Sequence, residues 1–101
     1  MTQNLTMPIE IKNEVGDKGG KFILEDDNQQ IGLMQYTFAG PQKMIIVHTE
    51  VDEAYEGKGL GLRLVKAGVE YAREHQMKIL PICPFAKKIF SVTPAFADVL
   101  F

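Results

Sequence analysis

The sequence YEGKGLGLRL, residues 55–64, organises the rest of the chain, because its three glycines separate an apolar run from a strongly patterned helix. The run covers residues 44–51, and the helical pattern continues to about His75. Glycines let a backbone approach a ligand closely and adopt positive φ angles. The first N–H groups of a helix lack partners within it, and the helix dipole adds positive charge there. The sequence therefore predicts a backbone site for a phosphate or diphosphate.

The glycine spacing excludes two familiar nucleotide-binding loops. The pattern G-x-x-x-x-G-K-[ST] of nucleoside-triphosphate sites does not occur. The dinucleotide pattern G-x-G-x-x-G is not met either, since Leu64 stands where a third glycine should follow Gly59 and Gly61. An anion site of another kind is therefore indicated.

Composition predicts one small globular domain. The 101 residues are 46% hydrophobic and 24% charged, which is ordinary for such a domain. A formal net charge of −2 argues against a nucleic-acid partner. No apolar run approaches the roughly 18 residues of a membrane span, so no membrane partner is expected.

The termini and the cysteine content indicate a cytoplasmic protein. Residues 1–8 are polar and lack the pattern of a signal peptide, and we expect them to fray, leaving residues 9–101 as the domain. A single cysteine forms no internal disulfide and cannot hold structural zinc alone, and no metal site is predicted.

Four strands are predicted before the glycine-rich loop. Alternating apolar residues and β-favouring residue types mark residues 9–15, 21–25, 30–39 and 43–51. The turns between them are short, so the strands should form an antiparallel meander.

A crossover helix and a fifth strand follow the loop. Residues 59–75 have helical periodicity, and the stripe predicted to face the core consists of Leu60, Leu64, Gly68 and Tyr71. Residues 77–83 form a short apolar run. A helix between two strands makes strands four and five parallel. Pro84 suits the first position of a second helix with Cys83 as its N-cap, and Pro94 ends that helix. The predicted fold is α+β, with a mostly antiparallel five-stranded sheet and a short C-terminal helix.

This order of elements resembles the core of the GNAT N-acetyltransferases, especially a subgroup of very small members, over residues 9–90. The loop Glu56-Gly57-Lys58-Gly59-Leu60-Gly61 is similar to the family pattern [QR]-x-x-G-x-[GA], with Glu56 departing at the first position. His48-Thr49-Glu50-Val51 and Pro81-x-Cys83-Pro84-Phe85 are similar to motifs of the small subgroup.

The resemblance implies an N-acetyltransferase that uses acetyl-CoA and carries the acetyl group to a small amine or an exposed lysine by direct attack on the thioester. It implies cofactor contacts at Val51, Glu56, Gly57, Lys58, Gly59, Leu60, Gly61, Leu62 and Phe85. A non-catalytic acyl-CoA-binding module and an interaction protein that keeps the fold remain alternatives.

Strand four supplies the candidate base for such a reaction. The incoming ammonium must lose a proton, and Glu50 is the candidate that accepts it, with His48 as second choice. The two residues are two apart and share a strand face. The N–H near Val51 would polarise the thioester carbonyl. Alternatively, Glu50 is a solvated carboxylate and His48 a structural hydrogen-bonding residue.

Cys83 is the candidate acid. At a helix N-terminus its thiolate is favoured, and it would protonate the departing thiolate of CoA or accept the acetyl group itself. Its alternative is an inert buried side chain. Many GNAT proteins use a tyrosine of the last helix as acid, and this helix has none.

The connection between the first two strands is too short for the two helices that the family usually carries there. Residues 16–20 form a glycine-rich turn instead. The acceptor site should therefore be open, or be completed by a partner chain such as the second copy of a homodimer.

Overall fold

The computed structural model of the chain describes residues 9–101, and the prediction of a frayed segment at residues 1–8 lies outside the described residues. The elements follow the predicted order. The strands are β1 (Glu10–Val15), β2 (Gly19–Asp26), β3 (Gln29–Phe38), β4 (Lys43–Val51) and β5 (Lys78–Pro81). The helices are α1 (Leu60–Glu74) and α2 (Pro84–Val92), and short 3-10 helices cover Glu53–Tyr55 and Pro94–Val99.

Within the described part of the chain, the five strands form one sheet in sequence order. β1 to β4 pair antiparallel, and β5 runs parallel to β4, as predicted. The fifth strand is shorter than predicted, because it ends at Pro81 and Cys83 already caps α2, which begins at Pro84. Leu100 adds an isolated parallel bridge to Ile79 at the outer edge of β5.

A β-bulge in β4 determines how the sheet opens. Tyr36 of β3 pairs with Ile46, whereas the preceding Gln35 pairs with His48, so that Val47 is the extra residue. The pairing of β4 with β5 ends at the same level, at Ile46 and Pro81. Beyond this point, β4 continues along β3 while the chain after β5 turns away, which leaves one edge of β4 open.

Both helices pack on one face of the sheet. The buried residues of α1, such as Leu64 and Val69, form a single cluster with Met34 and Ile46 from the strands and with Phe90 of α2. Such a cluster supplies most of the stabilisation of a small domain through apolar burial. The predicted apolar stripe of α1 therefore faces the sheet, as expected.

The opposite face of the sheet carries neither α1 nor α2. The strand register assigns Leu33, Ile45, His48 and Glu50 to this face. The period-two pattern of the first strand predicts a half-buried strand, but of residues 10–15 only Ile11 is partly buried. β1 is an edge strand, and α1 covers little of it.

Candidate functional site

A groove of about 620 Å³ opens where β4 and β5 separate, between the end of β4, the glycine-rich loop and α2. Its lining comes from all of these elements. The lining residues are Thr49, Glu50, Val51, Tyr55, Glu56, Gly57, Gly59, Leu60, Gly61, Leu62, Phe85 and Ile89. The separation of the parallel strands β4 and β5, called the fork below, thus opens a cleft beside the glycine-rich loop.

The loop wall of the groove is shaped by left-handed backbone at two glycines. Gly57 has φ = 81° and Gly59 has φ = 74°, and a β-carbon at either would meet no atom within 4 Å. These positions need glycine for its conformation rather than for space. Gly59 is the N-cap of α1, and the first helical bond runs from Arg63 N to Gly59 O at 3.1 Å. The N–H groups of residues 60–62 therefore have no partner within the helix.

Phe85 forms the opposite wall, and its ring packs onto Gly61. A β-carbon at residue 61 would lie 2.7 Å from Cε2 of Phe85 and closer still to Cζ. Phe85 is 42% exposed although it is aromatic, because the other side of its ring borders the groove. Phe85 thus borders the groove, whereas Phe90 of the same helix is a core residue.

The open edge of β4 presents backbone donors to the groove. Asp52 N donates to Ile31 O of β3 at 2.7 Å. Because donors alternate along a strand, the N–H groups of Val51 and Thr49 point away from β3, towards the side that β5 has left. The predicted N–H near Val51 is therefore directed into the fork.

Glu50 and His48 form a hydrogen-bonded pair at the rim of the fork. Nε2 of His48 lies 2.8 Å from Oε1 of Glu50. Their side chains are 52% and 59% exposed, so solvent reaches both. Glu50 borders the groove, whereas His48 does not line it. Their two-residue spacing predicted that the two side chains share a face of β4. It did not predict the direct contact between them.

Cys83 is buried behind the groove wall. It is the N-cap of α2, as predicted, and Ala86 N donates to its Sγ at 3.4 Å. Its Sγ also lies 3.4 Å from Oγ1 of Thr49. Cys83 is 6% exposed and does not line the groove, but Thr49 does. Cys83 thus contacts the groove through the Thr49 hydroxyl.

Tyr55 was missed by sequence reasoning as a site residue. Its hydroxyl donates to Oδ2 of Asp26 at 2.5 Å and ties the loop to the end of β2. This hydrogen bond, followed by burial, raises the pKa of Tyr55 above its ordinary value. Thr49 and Ile89 were missed too. Tyr55 stands beside the loop, which was a usable signal, whereas its contact with Asp26 depends on the tertiary fold.

The groove brings together most of the predicted site residues. Lys58, His48 and Cys83 are the ones outside its lining. Lys58 is exposed and does not line the groove. Among residues 9–101, no group of three or more His, Cys, Asp or Glu side chains is arranged to hold a metal ion. None of the described helices has the length and apolar character that crossing a bilayer requires.

A sequence model described as GCN5-related N-acetyl-transferase matches residues 21–99, which include the loop, the fork and both helices. The chain belongs to the GCN5-related N-acetyltransferase (GNAT) family. The resemblance found in the loop and in the order of elements is therefore confirmed, and so is the fold class.

Relatives of the same small size support this assignment. Protein NATD1 of Mus musculus is 26% identical over 90 residues, which span 77% of this chain and 82% of that protein. Protein NATD1 of Homo sapiens is 29% identical over 62 residues, 61% of this chain and 55% of its own length. The match thus covers little more than half of the human relative.

Solved GNAT structures share the fold. A GCN5-like protein of Staphylococcus aureus, solved by NMR, is 33% identical with a TM-score of 0.70, covering 89% of this chain and 87% of that one. The Escherichia coli protein YhbS in complex with CoA is 15% identical with a TM-score of 0.70, covering 95% of this chain and 71% of that one. A GNAT acetyltransferase of Elizabethkingia anophelis with acetyl-CoA bound is 20% identical with a TM-score of 0.58, covering 63% and 42%.

Proposed function

We propose that this protein is an acetyl-CoA-dependent N-acetyltransferase that acetylates a primary amine by direct attack on the thioester. The observation that carries the proposal is the groove itself. It joins the amino end of α1, the two left-handed glycines and the open edge of β4 in one cleft. Family membership supports an acyltransferase, and CoA or acetyl-CoA is bound in solved neighbours.

The residues of the groove fit a diphosphate joined to an apolar arm. The space above Gly57 and Gly59 is open, and the N–H groups of residues 60–62 are available at a helix N-terminus. Lys58, which is exposed between the two glycines, adds a positive charge to the loop. Glu56 acts in the opposite sense, because its carboxylate borders the groove and repels an anion. We therefore expect binding that depends on backbone donors more than on side-chain charge.

The rest of the groove suits the thioester end. Phe85 and Ile89 give an apolar wall, and the N–H of Val51 points into the fork. When bound, acetyl-CoA supplies an acetyl group on a good thiolate leaving group. A donor at the carbonyl oxygen stabilises the charge that develops there, and we assign that role to the Val51 N–H.

Glu50 is assigned as the general base. Its carboxylate lies at the rim of the groove, where an amine enters from solvent, and it accepts the proton that an ammonium must lose. His48 contacts this carboxylate at 2.8 Å and holds its position. The buried Cys83 is assigned as the acid, with its proton passing from Sγ to the groove through Oγ1 of Thr49.

A second function, a non-catalytic acyl-CoA-binding module, is favoured by three observations. Glu56 replaces the residue expected at the first position of the loop, and α2 has no tyrosine to act as acid. The burial of Cys83 leaves Thr49 as its contact with the groove. A regulator could tolerate these departures, since it needs binding but no proton transfer.

Two measurements with acetyl-CoA separate these functions. A thermal-shift titration should raise Tm as ligand occupies the folded protein. Incubation with acetyl-CoA and a panel of amines should then release free thiol in proportion to acetylated amine. Binding without thiol release for any amine would exclude the transferase and leave the binding module.

A further inference from the structure

The face of the sheet that lacks helices carries an apolar patch directly beside the Glu50–His48 pair. We define the helix-free patch as Ile45, Val47, Leu80 and Ile82. Val47 is 37% exposed and Ile82 is 52% exposed, and Ile45 and Leu80 are partly buried.

The bulge in β4 creates this arrangement. Ile46 is fully buried on the helix side, and the bulge lets Val47 and His48 both project from the other face. Ile45 is level with Leu80 in the parallel register. Ile82 N donates to Ile46 O at 3.0 Å, which places Ile82 next to Val47. A bulge-free strand would have turned His48 and Glu50 towards the helices.

The charges around the pair are mainly negative. The end of β4 and the following loop carry four exposed carboxylates, on Glu50, Asp52, Glu53 and Glu56, against the single lysine Lys58. Cations on the same face lie away from the pair. Lys43 and Lys78 stand in register at the opposite end of β4 and β5, beyond Ile45 and Leu80. Lys12 is bound to Glu25 at 2.9 Å, and Lys21 lies two strands from β4. This end of the face therefore favours a positively charged group next to apolar contacts.

The extent of the surface decides what kind of acceptor it fits. Ile45 and Glu50 are five residues apart on β4, which corresponds to about 15 Å along a strand. Small-molecule sites are concave and enclose most of their ligand. Within residues 9–101 no helix packs on the helix-free face, and Val47 and Ile82 are exposed on it. The groove on the other side fits the acyl donor. A free small amine would touch the Glu50–His48 pair and leave the patch unused.

We infer that the acceptor is a lysine side chain presented by a polypeptide, whose apolar residues next to the lysine dock on Ile45, Val47, Leu80 and Ile82. This inference rests on the proposed function. The lysine ammonium reaches Glu50, which takes its proton. The amine nitrogen then bonds to the acetyl carbon while the carbon–sulfur bond breaks, and the departing thiolate takes a proton from the acid at Cys83.

The test compares two acceptors in acetyl-CoA-dependent thiol release. One is a blocked peptide with a single lysine between leucines, and the other is Nα-acetyl-lysine. We expect kcat/KM to be at least about tenfold higher for the peptide, because apolar contacts add binding energy. In Ile82→Lys the ratio of kcat/KM for the peptide to kcat/KM for Nα-acetyl-lysine should fall about tenfold. The variant loses an apolar contact with the peptide and adds a charge that repels its lysine. The matched control is Val92→Lys, which places the same charge on an exposed apolar residue of α2, and its ratio should equal that of the wild type.

A second readout needs no acetyl transfer. Fluorescence anisotropy of the labelled peptide should show binding to the wild type and to Val92→Lys, and weaker binding to Ile82→Lys. If neither acceptor reacts, the proposed function fails, and anisotropy still decides the docking surface. Equal kcat/KM values for the two acceptors would overturn the inference. So would sedimentation data showing a wild-type dimer that Ile82→Lys dissociates without a change in peptide binding, since the face would then join two copies.

Discussion

The ring of Phe85 in α2 lies directly against Gly61 in the first turn of α1, and a β-carbon at residue 61 would come 2.7 Å from Cε2 of that ring. This contact sets the width of the groove between the two helices. We expect Gly61→Ala to push Phe85 into the groove and so to lower the affinity for acetyl-CoA. The same clash should reduce the free energy of unfolding by about 1–3 kcal/mol. Thermal-shift titration and urea denaturation measure the two effects.

Two further variants test whether the clash causes this loss. Phe85→Ala removes the ring, so Gly61→Ala should cost much less in that background, which a double-mutant cycle detects. Gly16→Ala is a control, because its β-carbon would meet only Gly19 O at 3.6 Å. If the effects of Gly61→Ala and Phe85→Ala are additive, a clash with the Phe85 ring is not the cause of the lost affinity and stability.

Gly59 gives a prediction in which conformation alone changes. A β-carbon there meets nothing within 4 Å, but φ is 74°. We therefore expect Gly59→Ala to reduce the free energy of unfolding by about 1–2 kcal/mol and to weaken acetyl-CoA binding. Gly59→Asn should lose less of both, since asparagine tolerates left-handed backbone. If both variants lose the same amount, backbone conformation is not the reason for glycine.

Much of this fold could be predicted because local patterns and tertiary contacts agree. The stripe of α1 from Leu64 to Gly68 faces the sheet, and Cys83 with Pro84 begins α2, as the sequence indicated. Each of these signals is local: the hydrophobic period of a helix, an N-cap residue, or a proline at the first position of a helix.

The features that the sequence did not predict depend on distant residues. No glycine or proline marks the bulge at Val47, which arises from the register of β3 against β4. The contact of Thr49 with Cys83 requires that β4 and β5 separate just beyond Ile46. The first four strands and the loop locate the site, but the contacts of Thr49 with Cys83 and of His48 with Glu50 exist only once the sheet has formed.

Glu50 should affect catalysis without affecting the binding of the donor. We expect Glu50→Gln to lower kcat by about 10²- to 10⁴-fold, because the amide cannot accept the ammonium proton. The thermal shift with acetyl-CoA should stay close to that of the wild type. Glu74→Gln, on the exposed side of α1, is the matched control and should retain kcat. Unchanged turnover in Glu50→Gln would remove Glu50 as the base.

The role of His48 can be separated from that of Glu50 by comparing kcat in two substitutions of His48. In His48→Gln the amide can still donate to the Glu50 carboxylate, so we expect a smaller loss of kcat than in Glu50→Gln. In His48→Ala that contact disappears, and the loss should be greater. Equal rates in wild type and His48→Ala at every pH would show that His48 does not position the base.

Cys83 has a structural role and a proposed chemical one, and two substitutions distinguish them. Cys83→Ala removes the acceptor of Ala86 N–H and should cost about 1 kcal/mol of stability. Cys83→Ser keeps a cap but replaces the thiol with a much weaker acid. If Cys83 protonates the leaving thiolate, both variants and Thr49→Val should lower kcat about tenfold or more. A Cys83→Ser enzyme with wild-type kcat would leave only the capping role.

Arg73 and Asp98 give a prediction about stability and pH. Arg73 donates to both carboxylate oxygens of Asp98, at 2.9 and 2.8 Å, and to Ala95 O, joining the C-terminal 3-10 helix to α1. These hydrogen bonds from Arg73 lower the pKa of Asp98. A carboxylate with a lowered pKa in the folded state stabilises the protein above its unfolded-state pKa, and that contribution is lost as the pH falls through the folded-state pKa. Urea midpoints should therefore be lower for Asp98→Asn than for the wild type at about pH 7, and the difference should shrink below about pH 4. Added salt should reduce it as well, whereas a difference that persists in acid would mean that packing, not charge, joins this segment to α1.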